Sequence, residues 1–146
     1  MDNNKVYQFY ETQFDEGGRF ASNPLEYIRS QEIIKRVLTK PHCMIADIAG
    51  AVGAYSYWLT ELGHKVHLLD LSPKHIEQAK AYGEKHNIEL SSLTCGDARQ
   101  LPYGTNTFDA ALLMGALYHL QESDDRMKCI AECHRVLKPG GKAILS

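Results

Sequence analysis

Asp47, Asp70 and Asp97 are the acids of this chain whose placement could do shared chemistry. An apolar run from Ile45 ends at Asp47, and the small residues Ala49-Gly50-Ala51-Val52-Gly53 follow. A second apolar run, from Val66, ends at Asp70. A loop of small residues lets a ligand approach the backbone at a helix N-terminus, where free N–H groups point outward. Asp70 stands about twenty residues beyond that loop, where an acid offers its oxygens to a ribose diol. The pattern fits a nucleoside-holding unit, although a tight turn alone would use the same small residues. Asp97 follows a third strand, and each acid taken singly also reads as a cap or turn residue. Beyond a fourth apolar run come Met114-Gly115-Ala116, then Tyr118 and His119. His119 is a candidate general base, with a helix-start or packing role as the plain reading. Tyr118 could present an aromatic face to a cation, with core packing as its alternative.

These residues need a frame. The spacing predicts strands at Cys43–Ile48, Lys65–Leu69, Leu90–Cys95 and Phe108–Met114, and the start of a fifth at Lys142–Ser146. Helices alternate with them. The first starts at Asn23-Pro24-Leu25-Glu26 by capping logic and carries an apolar face of Ile28, Ile33, Ile34, Val37 and Leu38. Ala54–Leu62 is closed by Gly63, and Ser72-Pro73 opens a helix that runs to about His86. Ser123 is read as the cap of a last helix, which ends in Leu137-Lys138-Pro139-Gly140-Gly141. This rhythm implies an α/β fold, a Rossmann-like open parallel sheet with helices on both faces. Ligands of such sheets bind beyond the carboxyl ends of the strands, at the switch in strand order. That is the edge where the three acids and the loop would converge.

The 146 residues suffice for one core. Net charge is −2, with 44% hydrophobic and 23% charged residues, so no overall field favours nucleic acid or a membrane surface. The longest apolar run, Ala110–Tyr118, is too short to span a bilayer. Cys43, Cys95, Cys129 and Cys133 read as reduced, buried thiols of a cytoplasmic protein. Cys129-x-x-x-Cys133-His134 makes a poor tetrahedral metal site, and no metal is expected. Residues 1–40, an aromatic segment plus the first helix, would form a lid or a sheet cover, with Arg19 and the aromatics Tyr7, Phe9, Tyr10, Phe14 and Phe20. Residues 41–146 would form the ligand-binding domain.

The chain resembles the class I S-adenosylmethionine-dependent methyltransferases, particularly their small-molecule branch. The matching blocks are Asp47–Gly53, Leu69–Ser72, Cys95–Ala98 with Leu101-Pro102, Phe108-Asp109 with Gly115–Leu120, and Arg135–Gly141. The resemblance implies that Asp47 and the loop with Ala49, Gly50, Ala51 and Gly53 hold the amino-acid end of S-adenosylmethionine. It implies that Asp70 binds the ribose hydroxyls and that Leu71 lies against the adenine. It further implies that Asp97 and the Ala98 N–H read the adenine edge, and that Met114 or Gly115 offers a carbonyl to the ammonium. The family's glycine-rich loop carries Ala at positions 49 and 51 here, and alanine tolerates positive φ less well. No Asn/Asp-Pro-Pro-aromatic motif follows the fourth strand, which argues against methylation of nucleic-acid bases.

The implied activity is methyl transfer to a small-molecule nucleophile, with S-adenosylhomocysteine as product. Alternatives are a cofactor-binding module without turnover and, less well matched, a nicotinamide-dependent dehydrogenase. Gly53→Val is expected to remove binding and leave the fold mostly intact. The family's domains usually continue past a fifth strand. The resemblance therefore also raises the expectation that this chain is truncated in strand five, with self-association through that exposed strand.

Overall fold

A computed structural model describes residues 24–146. The readings placed on residues 1–23, including the Asn23 cap and the aromatic segment, lie outside the described residues. In chain order the elements are α1 Pro24–Val37, β1 Met44–Ile48, α2 Ala54–Glu61, β2 Lys65–Asp70, α3 Pro73–His86, β3 Ser92–Cys95, β4 Phe108–Leu113, α4 Ala116–His119, α5 Ser123–Val136 and β5 Leu137–Leu145. The strands form one sheet in the order β3-β2-β1-β4-β5, with every neighbouring pair parallel. Strand order therefore reverses between β1 and β4.

Alternate residues of each strand face opposite layers, as the period of two demands. Ile45, Val66, Leu68, Ala110, Leu112 and Ile144 meet Ile34 of α1, Leu59 of α2 and Ala79 of α3. Ala46, Ile48, Leu69, Ala111 and Leu113 meet Cys129, Cys133 and Val136 of α5, joined by Phe108, which departs from the alternation where the β4–β5 register shifts between Phe108 and Ala110. Both faces of β1 and β4 are thus covered, which is why those segments are nearly uninterrupted apolar runs. The expected Rossmann-like sheet is the observed one.

The local corrections have physical causes. Ser123 is not the cap of α5: Glu122 holds that place, with no side-chain cap bond, and Ser123 opens the helix. Strand β5 begins at Leu137, directly after α5, rather than at Lys142. Phe108 pairs with Leu137 but Ala110 already pairs with Lys142, so Lys138–Gly141 bulge out opposite Asp109. Pro139 lacks an N–H for a ladder, and Gly140 takes φ 77°, so this stretch suits a bulge in a strand. A β-carbon at Gly141 would stand 2.8 Å from the Lys138 carbonyl oxygen. Lys138 Nζ reaches back to Asp109 Oδ1 at 3.0 Å, and Asp109 Oδ2 accepts from the Met44 N–H at 2.8 Å, closing the bulge onto β1 and β4. Cys95 is exposed, unlike the other three cysteines. Burial raises the Cys129 thiol to about 12, with Cys133 beside it adding to the effect, so Cys129 stays protonated.

Candidate functional site

The carboxyl ends of β1, β2 and β4 meet at the reversal of strand order, and the loop Ala49–Gly53 rises there. Its backbone alternates. Ala49 has φ 56°, Ala51 φ 50° and Gly53 φ 84°. Gly50 is required for space, because a β-carbon would lie 2.4 Å from Leu68 Cδ1 and 2.6 Å from Asp47 Cγ. The loop is tied by its own bonds. Gly50 N–H donates to Leu69 O (3.2 Å), Gly53 N–H to Gly50 O (2.9 Å), and Ala51 N–H to Asp70 Oδ2 (2.8 Å). These three N–H groups are therefore not the outward-pointing donors the sequence suggested; they fix the loop's shape.

Two alanines in left-handed conformation are strained, at roughly 1–2 kcal/mol each. Replacing both Ala49 and Ala51 with glycine should therefore stabilise the fold. Glycine's larger unfolded-state entropy offsets about half of that gain, leaving a net of about 1 kcal/mol. The melting temperature of the double variant should rise by about 2–4 °C in a thermal scan. Gly53 is different: it is buried, and a β-carbon there would stand 3.1 Å from Leu68 Cδ2 and 3.2 Å from Tyr57 Cε2. Valine at that φ is strained as well. Gly53→Val should lower stability together with any binding, contrary to the expectation that the fold would be spared; far-ultraviolet circular dichroism with a melt would show it.

Asp47 is 1% exposed, and its Oδ2 accepts from Ser56 Oγ at 2.6 Å. Burial pushes its carboxyl up to about 6; the Ser56 hydroxyl works against this, and the Asp70 charge adds to it. Asp70 closes β2. Its Oδ1 accepts from the Ser72 N–H (2.9 Å) and stands 3.0 Å from His75 Nδ1, while its Oδ2 takes the Ala51 N–H. Ser72 caps α3 by accepting from the His75 N–H, as expected. Leu71 is half-buried beside Asp70, and its carbonyl oxygen stands 3.5 Å from Cys95 Sγ.

Asp97 follows β3 but is already engaged. Arg99 Nε lies 3.1 Å from Asp97 Oδ1 and Arg99 Nη2 2.8 Å from Oδ2, and the Arg99 N–H also donates to Oδ1. Arg99 Nη1 continues to Asp125 Oδ2 at 2.6 Å, tying the β3 loop, with Ala98, to the first turn of α5. Beyond β4, Met114 is half-buried and Gly115 has φ 122°, with nothing within 4 Å of where a β-carbon would stand. Bare backbone thus faces open space at that strand end. Tyr118 is 73% exposed on α4, so core packing is not its role. His119 ends α4 and is half-buried.

The structure thus ties the loop of Ala49, Gly50, Ala51 and Gly53 to Asp70 through the Ala51 N–H, while Asp47, at the end of β1, is bonded to Ser56 of α2. Leu71, Asp97, Ala98, Met114 and Gly115 stand at the neighbouring strand ends. Sequence reasoning missed Ser56, His75 and Arg99. Only Arg99 left a signal, an opposite charge two residues after an acid. Among the described residues no group of three or more His, Cys, Asp or Glu could hold a metal ion.

A parallel sheet of this order, with a small-residue loop at the reversal and an acid closing the next strand, defines a Rossmann-like nucleoside-cofactor fold. The comparisons with known proteins narrow the class. The chain belongs to the methyltransferase domain family, which matches residues 46–145, and so to the class I S-adenosylmethionine-dependent methyltransferases. It is 30% identical over 146 aligned positions to the demethylmenaquinone methyltransferase of Alkalihalophilus pseudofirmus, covering 96% of this chain and 61% of that protein. It is 31% identical over 115 positions to the demethylmenaquinone methyltransferase of Streptomyces avermitilis, covering 79% of this chain and 46% of that protein. The crystal structure of the PH0226 protein from Pyrococcus horikoshii superimposes with a TM-score of 0.77 at 28% identity, over 90% of this chain and 61% of that one. The chain spans about half the length of the curated relatives it matches.

Proposed function

We propose that this chain holds S-adenosylmethionine and forms the cofactor-binding part of an enzyme that methylates a small molecule. One observation carries the reading: the Asp70 carboxylate closes β2 and is bonded through Oδ2 to Ala51 of the small loop. The acid and the loop are therefore one unit, as a ribose-binding acid and the loop that admits the rest of the cofactor must be. The residues present fit the group. Asp70 would take ribose hydroxyl donors, with Leu71 flanking the adenine and the Ala98 N–H reaching its ring. Asp97 would accept from the adenine amino group only in competition with Arg99. Asp47 and the loop would hold the amino-acid end, and the bare backbone at Met114-Gly115 would offer a carbonyl to the ammonium.

When bound, the cofactor would supply an electrophilic methyl group on a sulfonium, a good leaving group. The protein's part is alignment and exclusion of water. An acceptor hydroxyl, amine or thiol must also lose a proton, and His119 is the group at the β4 mouth that would take it. The exposed ring of Tyr118 would wall the cationic side of the site. Replacing His119 with alanine should then slow methyl transfer by roughly 10²-fold and leave S-adenosylhomocysteine affinity unchanged. Full activity in that variant would assign His119 to packing.

The acceptor is a small molecule, and the demethylmenaquinone named for two relatives makes a quinol the first compound to assay. No nucleic-acid partner is proposed. No described helix is long and apolar enough to cross a membrane. A cytoplasmic location and pairing of β5 with a second copy remain parts of this proposal. Titration calorimetry with S-adenosylhomocysteine and NAD tests the core of it. Binding of the first and not the second is expected, and the reverse would overturn it. Methyl release with an acceptor panel then separates an enzyme from a module that only binds.

A further inference from the structure

His75 is the buried imidazole of the first turn of α3, 3% exposed, and its role is not implied by the loop or by the acids. It stands 3.0 Å from Asp70 Oδ1 through Nδ1. A carboxylate oxygen accepts, so the pairing assigns the proton to Nδ1. The Ser72 N–H donates to the same oxygen at 2.9 Å. Two donors fill the two acceptor positions of Oδ1. The other oxygen, Oδ2, takes the Ala51 N–H at 2.8 Å and has one position left. The carboxylate is therefore tied to α3 by one oxygen and turned toward the loop by the other. Rotating it would break three bonds, two to the start of α3 and one to the loop, in surroundings that leave the Asp70 side chain only 10% exposed.

We infer that His75 is a specificity-positioning residue: it locks the Asp70 carboxylate so that Oδ2 alone reads the ribose, through a single hydroxyl. This rests on the reading of Asp70 as the ribose ligand. It changes the expected recognition, since a freely turning carboxylate would serve both hydroxyls alike. A donor at the place of Nδ1 is what the lock requires, and the bulk of the ring is not.

The test is calorimetric affinity for S-adenosylhomocysteine in the wild-type protein, His75→Phe and His75→Asn. Phenylalanine keeps the ring without the donor. Asparagine keeps an N–H donor near the same place without the ring. His75→Phe should bind about tenfold more weakly, and His75→Asn should stay within about threefold of wild type. Equal affinity in His75→Phe, or an asparagine variant as weak as the phenylalanine one, would overturn the inference. A second measurement needs no variant. The 2′-deoxy and 3′-deoxy forms of S-adenosylhomocysteine should bind the wild-type protein unequally, one about tenfold more weakly than the parent and the other within threefold. Equal losses from both would overturn the inference even if His75→Phe did not fold. Failure of the underlying reading is distinguishable, because Asp70→Ala would then leave affinity for the parent compound unchanged.

Discussion

Asp70→Ala should weaken S-adenosylhomocysteine binding by about 2–3 kcal/mol, a loss of roughly 30- to 150-fold. The size follows from the chemistry of the site. A hydroxyl donating to a buried carboxylate makes a charge-assisted bond in surroundings that screen it little. Alanine removes that bond and also strands the donors of Ala51, Ser72 and His75, which now share Asp70. Each stranded donor costs about 1–3 kcal/mol if water cannot reach it, so the variant should melt at a lower temperature too. Affinity must therefore be measured well below the melt, and titration calorimetry at 10 °C does this. Unchanged affinity would remove Asp70 from the ribose site and leave it a structural tie between the loop and α3.

Asp47→Asn should stabilise the fold near neutral pH, by up to about 3 kcal/mol, and weaken cofactor binding at the same time. Burial lifts the Asp47 carboxyl from its ordinary value of 3.8 to about 6, the Ser56 hydroxyl opposing and the Asp70 charge adding. The folded protein thus binds this proton more tightly than the unfolded chain does between those two values. Stability is full below about pH 4, falls as pH rises toward 6, and stays reduced above. The gap between 3.8 and about 6 corresponds to about 3 kcal/mol. Asparagine carries no charge at any pH and keeps an oxygen for Ser56 Oγ, so its advantage should appear above pH 6 and vanish near pH 4. Denaturant melts at pH 4 and pH 7.5 would show it, and an equal effect at both would contradict the argument. The weakened binding follows if the charge of Asp47 meets the cofactor's amino-acid end. A residue that costs the fold stability in its ionised form is the behaviour expected of a functional group.

Much of this was readable in the sequence, for reasons tied to particular residues. The unit from β1 to β2 declares itself because both strands are apolar runs closed by acids, with small residues between. The sheet declares itself because β1 and β4 are buried on both faces and so need no alternation. The start of β5 was hidden because Lys138-Pro139-Gly140-Gly141 reads as the end of a helix, yet the segment is a bulge held by Asp109. Ser123 looked like a cap because serine favours that place, but Glu122 holds it through backbone conformation alone. The ties of Asp97 were hidden for another reason. Its partner Arg99 is near in sequence, but Asp125, which fixes Arg99 from the other side, is 26 residues further on. Likewise nothing in the first turn of α3 announces that His75 turns inward to Asp70. Partnerships of that range are set by how elements pack, and local pattern is silent on packing.

The reversal of strand order has a mechanical consequence. Strands β1, β2 and β3 lie on one side of the β1–β4 boundary, and β4 and β5 on the other, joined where Ile45, Ala46 and Asp47 pair with Ala110, Ala111 and Leu112. On the proposed reading, a cofactor held by Asp70 on one side and by Met114-Gly115 on the other would act as a rivet across that boundary. Its binding energy then resists separation of the two plates, and at a hundredfold excess over Kd it contributes about 2.7 kcal/mol to the whole. The amides of β1 and β4 should report this most directly, by slowed exchange with deuterated water when S-adenosylhomocysteine is added. Those of β3, at the far edge, should slow only as much as the whole fold does.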